Sequence, residues 1–327
     1  MSSRYRHINL YLPLLAIVTI FSWLQSSEEE AIIDRLAVID YTRASRKIPC
    51  QLSSEGPLPV ILMSLGRSGS SITWDTMSAL TGKRSRAYEI TGGNQFTSKI
   101  FFDELADDPN MTHDWAVDRL CFVQKQRDDV QGAGIAGFQW KPYMASFDLE
   151  YAVEGLKTIA SHQNPPIRIV YLTRNPIDRK ISNLRHERSK SSSNAITAHC
   201  AVGDDACIKE HAAFDQGVIF PVGNKLLNWL RYAVSSDNKI KDRLRDTKVK
   251  FIQVSYEKLY SADDDAEEWM RIFKFLSLGP SEDLSMDDIR ATFSMASTHS
   301  KGRNEIIENY VEVEQTLTGT EFEHFLL

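Results

Sequence analysis

The periodicity of hydrophobic positions changes several times along the chain, and each change marks an element. From Pro59 to Leu65 the run "PVILMSL" is apolar without alternation, as in a short strand buried on both faces. It stops at Gly66-Arg67-Ser68-Gly69-Ser70-Ser71, and the stretch from Ser71 to Thr81 reads as a helix. Further strands are predicted at "AYEI", "GIAGFQW", "IRIVYLT" and "KVKFIQVSY". Helical stretches lie around Tyr151 to Ser161, Lys225 to Arg245 and Ala266 to Leu276. Strands that alternate with helices predict an α/β, P-loop-like three-layer domain with a central parallel sheet flanked by helices. The serine-rich Ser189 to Ser193 and the loop through Asp205 read as an exposed insertion, and there is no internal repeat.

The N-terminal pattern is different. No charged residue interrupts Ile8 to Gln25, Arg4, Arg6 and His7 precede it, and Glu28, Glu29 and Glu30 follow. Basic residues stay cytoplasmic, so this polarity suits a transmembrane signal anchor with the remaining chain in a lumen. A span of about 18 residues is near the lower limit for crossing a bilayer. A cleaved signal peptide is the competing reading, although no clean small-x-small site precedes the acidic run. The expected organisation is a cytoplasmic tail over residues 1–7, an anchor over 8–25, a stem over 26–56, helical in "AIIDRLAVID", and a main domain over 57–327.

Charge and cysteines narrow the chemistry. A formal charge of −6 argues against a surface built to hold nucleic acid. The four cysteines, Cys50, Cys121, Cys200 and Cys207, form no Cys-x-x-Cys pair and sit near no zinc-type histidine spacing, so no metal site is expected. In an oxidising lumen Cys200 and Cys207 would close the short loop "CAVGDDAC"; otherwise they are two unrelated thiols. Asn110-Met111-Thr112 is a glycosylation sequon, a weak signal at this length.

The loop after the first strand carries the strongest chemical signal. Backbone N–H groups of a glycine-rich turn and the N-terminus of the following helix point one way, which makes an anion cradle. Ser70 and Ser71 would add hydroxyl donors, and Arg67 a planar fork suited to phosphate or sulfate oxygens. A small-residue turn between strand and helix also occurs without function. The spacing is not that of a Walker A loop and the lysine is absent, which disfavours a kinase or nucleotide triphosphatase. In "IRIVYLTRNPIDRKISNLRHER" the fourth strand ends at Thr173, and Arg174 with the helical Ser182 would reach one phosphate together from the crevice end of the sheet. Arg179, Lys180, Arg185 and Arg188 read mostly as a solvated basic face.

Together, "SLGRSGSSITW" and "RIVYLTRNPIDRKIS" resemble the two nucleotide-binding signatures of sulfotransferases that use 3′-phosphoadenosine 5′-phosphosulfate (PAPS). The resemblance implies that Gly66, Arg67, Ser68, Gly69, Ser70 and Ser71 hold the 5′-phosphosulfate, and that Arg174 and Ser182 hold the 3′-phosphate. "VSYEKLYSADDDAEEWMRIFKFLSL" and "KGRNEIIENYVEVEQTLTGTEFEHFL" are similar to later family segments. They make Tyr256 a candidate adenine contact, and Lys301, Gly302 and Arg303 candidates at the 3′-phosphate. Membrane-anchored carbohydrate sulfotransferases often carry arginine where cytosolic members carry lysine in the first loop, so Arg67 and the anchor agree.

The histidine base of the cytosolic enzymes has no counterpart in "GFQWKPYM". By resemblance to some carbohydrate-acting relatives, Glu89 in "RAYEITGGN" is the candidate general base, the alternative being an ordinary surface carboxylate, and Lys141 is a candidate helper at the sulfuryl oxygens. The implied function is metal-free sulfuryl transfer to an acceptor hydroxyl, a glycan foremost, by a single-pass type II protein of the Golgi membrane. A non-catalytic luminal nucleotide- or glycan-binding protein and a membrane-anchored glycosyltransferase stay open. For the latter, "ADDD" at Ala262 to Asp265 is the nearest thing to a metal motif and reads as a solvated helix start.

Overall fold

Among the described residues five strands make the sheet: β1 (Leu58–Ser64), β2 (Tyr88–Thr91), β3 (Ile135–Lys141), β4 (Arg168–Thr173) and β5 (Phe251–Ser255). These correspond to the five predicted runs. The structure, a computed structural model, describes residues 56–85, 88–91, 132–142, 167–191, 200–213, 217–246, 249–260, 266–279, 284–293 and 302–326. The anchor expected over 8–25, the stem helix, the sequon at Asn110, the helix expected around Tyr151 to Ser161, and Cys50 and Cys121 all lie outside the described residues. Among the described residues no helix is long and apolar enough to cross a membrane.

All strand pairs are parallel, in the order β2-β3-β1-β4-β5. The central β1 pairs on both edges and is covered on both faces, and the covered faces are why its sequence does not alternate: Val60, Ile61 and Leu62 are fully buried. Its neighbour β3 contains Gly137, where a Cβ would stand 1.7 Å from the Val60 carbonyl oxygen and 3.2 Å from the Trp74 ring. Glycine there lets backbone and indole close over the sheet.

One face of the sheet is covered by α1 (Ser70–Thr81) and α6 (Glu267–Leu276). Their Trp74, Met77, Trp269, Ile272 and Phe273 share a core with Val60, Leu62, Val170, Leu172 and Val254. A second core joins α2 (Pro176–Ser191), α4 (Asn224–Asp246) and α9 (Tyr310–Leu317) through Ile177, Ile181, Leu226, Leu230, Val313 and Leu317. Helix α4 buries Leu226, Leu230, Ala233, Ile240 and Leu244 at helical spacing, so its predicted extent is off by only one residue at each end. Shorter helices are α3 (Asp205–Ala213), α5 (Tyr256–Leu259), α7 (Met286–Ala291) and α8 (Arg303–Ile306). A 3₁₀ turn, Glu323–Leu326, follows α9.

Two sequence readings change. Arg179, expected on a solvated face, is only 6% exposed, and its Nη2 donates to Asp237 Oδ2 at 2.9 Å. The same carboxylate accepts from the Tyr171 hydroxyl at 2.8 Å, so β4, α2 and α4 meet at one buried polar cluster. Lys180 also leaves the bland category: its Nζ lies 5.6 Å from the Trp229 ring centroid. Of the alternatives for Cys200 and Cys207, the disulfide is the one present.

Candidate active site

Strand order creates the site. From β1 the chain leads towards β2 on one side of the sheet, while β4 leads to β5 on the other, so the crevice between the carboxyl ends of β1 and β4 is a topological switch point. Ser64 pairs in register with Leu172, which places the loop after β1 beside the loop after β4.

The first loop turns tightly through two left-handed residues, Arg67 at φ 65° and Gly69 at φ 81°. The second must be glycine, because a Cβ there would meet Tyr256 Cε2 at 2.2 Å. Helix α1 starts at Ser70 with Gly69 as its N-cap and no side-chain capping bond, so no side chain covers its first amides. Ser68 is 1% exposed, and its Oγ has no hydrogen-bond partner. A buried hydroxyl left without a partner is costly, and here it lies in the glycine turn that leads into the uncapped start of α1. Ser70 is also buried, whereas Gly66, Arg67 and Ser71 are half-buried.

The second loop is fastened from three directions. Arg174 Nη1 donates to the Arg67 carbonyl oxygen at 3.1 Å, and its guanidinium carbon lies 4.3 Å from the Tyr256 ring centroid. Arg174 Nε is buried without a hydrogen-bond partner. The Asn175 amide donates to Glu257 Oε1 at 2.6 Å, and Asn175 Nδ2 donates to the Phe325 carbonyl at 3.0 Å. Asn175 Oδ1 accepts from the Ile177 amide, satisfying the first turn of α2, where Pro176 occupies the first helical position. Ser182 is half-buried on that helix, two turns from Arg174.

Tyr256 and Glu257 open α5 directly after β5. The Tyr256 ring fills the space beside Gly69, and burial pushes its phenol above the ordinary value although the Arg174 charge pulls it down. Glu257 binds the Asn175 amide through one oxygen and the Ser255 hydroxyl through the other, at 2.7 Å. Thus one residue pair braces both loops.

Arg303 is committed to the protein itself. Its Nε and Nη2 each donate to Asp178 at 2.8 Å, and Nη1 donates to the Phe325 carbonyl at 2.7 Å. Burial would lower its pKa, but the hydrogen bond and charge of Asp178 outweigh that and hold it above its ordinary value. Gly302 is the exposed N-cap of α8, and Lys301 lies outside the described residues. Glu89 pairs in register with Gln139, as Gln139 does with Leu62. That backbone position is two strands, about 10 Å, from β1. Lys141 is the half-buried last residue of β3, in register with Thr91. Among the described residues no group of three or more His, Cys, Asp or Glu gathers as a metal site.

The structure therefore joins Arg67, Ser68, Gly69, Ser70, Arg174 and Tyr256. Sequence reasoning missed the roles of Asn175, Glu257, Asp178 and the Phe325 carbonyl. The adjacent Arg-Asn-Pro and Tyr-Glu strings were visible, but their pairing spans 82 residues.

A buried parallel strand running through a glycine loop into an uncapped helix, with the arginine that follows β4 beside it, is an α/β arrangement suited to anionic groups at the sheet's carboxyl edge. A family model described as a sulfotransferase domain matches residues 57–325, and the chain belongs to that family. It is a sulfotransferase, and its reaction is the transfer of a sulfuryl group. A search of curated proteins returns no significant match.

Proposed function

We propose that the enzyme takes its sulfuryl group from PAPS and delivers it to the hydroxyl of a glycan in the Golgi lumen, held there by the apolar segment over residues 8–25. The observation that carries the donor assignment is the meeting of the two loops. Ser68 Oγ and Arg174 Nε are both buried and without hydrogen-bond partners, on loops tied together by the Arg174 to Arg67 bond. Buried donors of that kind fit anionic oxygens. Gly66 to Ser71 would hold the 5′ end of the nucleotide, and Arg174 with Ser182 the 3′-phosphate. Tyr256 remains the candidate at adenine, with Lys301, Gly302 and Arg303 bordering the 3′ side. Because Arg303 already binds Asp178 and Phe325, its first task is to fix that border.

The bound donor supplies a sulfuryl group on a phosphate leaving group. The chain's contribution is electrostatic: Arg67 and the loop amides hold positive potential where negative charge grows, and Glu89 accepts the acceptor's proton. Lys141, at the end of β3, would steady the sulfuryl oxygens. The Cys200–Cys207 disulfide supports an oxidising compartment, in agreement with the charge asymmetry around residues 8–25.

Calorimetry on the full chain in detergent, with adenosine 3′,5′-bisphosphate against ADP and 5′-AMP, tests the donor. Preferential binding of the bisphosphate is expected, and equal affinities would exclude a 3′-phosphate site. With the donor established, Arg67→Ala should slow sulfuryl transfer ~100- to 1000-fold at unchanged fold, as loss of an oxyanion donor does elsewhere.

A further inference from the structure

Arg67 holds a left-handed backbone conformation that side-chain-bearing residues seldom adopt, in a loop whose shape sets where its amides point. Something must hold it there. Its carbonyl oxygen accepts from Arg174 Nη1 at 3.1 Å. The same guanidinium lies over the Tyr256 ring, and an edge of that ring fills the space beside Gly69, the other left-handed residue of the loop.

Behind the stack the contacts close into a circuit. The Tyr256 and Tyr260 rings are 4.5 Å apart, the Tyr260 hydroxyl meets Thr73 Oγ1 at 3.2 Å, and Thr73 Oγ1 donates to the Gly69 carbonyl at 3.0 Å. Arg174 is the only member of this circuit that comes from the second phosphate motif.

We infer that Arg174 is a positioning residue for the first loop as well as an anion ligand: its bond to the Arg67 carbonyl holds the left-handed turn in the shape that binds the 5′ end of the nucleotide. This rests on the donor assignment proposed above. The 3′ and 5′ subsites are then coupled through one guanidinium. An anion on Nε at the 3′ side orients the group whose Nη1 shapes the 5′ cradle, and by linkage the effect is reciprocal.

The test uses 5′-AMP, which lacks the 3′-phosphate, beside adenosine 3′,5′-bisphosphate, with calorimetry on the full chain and Arg174→Ala, Arg67→Gly and the double variant. A ligand of the 3′-phosphate alone would leave 5′-AMP affinity unchanged when removed. A positioning residue would not, and Arg174→Ala is expected to weaken 5′-AMP by about tenfold, within the usual range of intersite coupling. In the Arg67→Gly background that loss should disappear, because glycine adopts the left-handed turn unaided. Should Arg174→Ala fail to fold, Arg174→Lys keeps a cation and one donor without the planar fork and enters the same cycle.

Unchanged 5′-AMP binding in Arg174→Ala overturns the inference and leaves the donor assignment standing. So does an equal loss in both backgrounds, which would mean direct contact with the 5′-phosphate. If wild-type protein binds neither nucleotide, the donor assignment fails and the inference with it.

Discussion

Gly69 shows how much one residue can decide. Its φ of 81° and the 2.2 Å approach that a Cβ would make to Tyr256 act together, so Gly69→Ala should strain the turn and push the ring off Arg174. Urea unfolding is expected to show a loss of about 2 kcal/mol, and bisphosphate binding should fall with it. Glu89→Gln should behave differently. If the carboxylate is the base, kcat falls ~100- to 10,000-fold while nucleotide affinity stays constant, and steady-state kinetics beside calorimetry separate the two. Retained turnover would return Glu89 to an ordinary carboxylate. That Arg67, Ser68, Gly69 and Arg174 come together was legible because each loop follows an apolar run that reads as a buried strand of a parallel sheet, and strand ends of such a sheet share one edge. Asp178 and Arg303 were not legible as a pair, since complementary charge 125 residues apart leaves no local signature.

At the scale of elements, periodicity read well where burial is one-sided or complete. The helical stripe of α4 and the unbroken apolar run of β1 each followed from a single packing environment. It read poorly on α2, where a run of cations hid Arg179 among residues that look solvated. That arginine, Asp237 and Tyr171 join a strand to two helices, and burial pushes the Asp237 carboxyl up even though Arg179 and the Tyr171 hydroxyl pull it down. Asp237→Ala leaves a buried cation without its partner, so chemical denaturation should show a loss of about 3 kcal/mol, of the size seen when buried pairs are broken. A loss below 1 kcal/mol would show that Arg179 finds water instead.

For the whole molecule, class was predictable and order was not. Alternating strands and helices imply a parallel sheet, but nothing local says that β3 inserts between β2 and β1, or that β4 then crosses to the other edge of β1, and that crossing creates the switch point. Buried phenols give the fold a shared response to pH. Tyr171, Tyr256 and Tyr260 all have pKa values raised above the ordinary 10.0, chiefly by burial. In such a case the unfolded chain loses its proton first, so the stabilisation is complete below about pH 10 and is lost as pH rises beyond it. The denaturant midpoint should therefore be lower at pH 11 than at pH 8 by more than titration of exposed groups accounts for, by up to about 1.4 kcal/mol per phenol for each pH unit above 10.

The Phe325 carbonyl, which accepts from both Asn175 and Arg303, has a consequence for biosynthesis. Chains emerge from the ribosome N-terminus first, and domains begin to fold as they appear. A nascent chain that has released β1 through β4 carries the loop after β1 and the loop after β4, yet the segment that fastens the second one is still to be made. The second loop therefore completes its contacts only when translation reaches the turn at Glu323–Leu326, and a product terminated before it would lack the carbonyl that fastens Asn175 and Arg303.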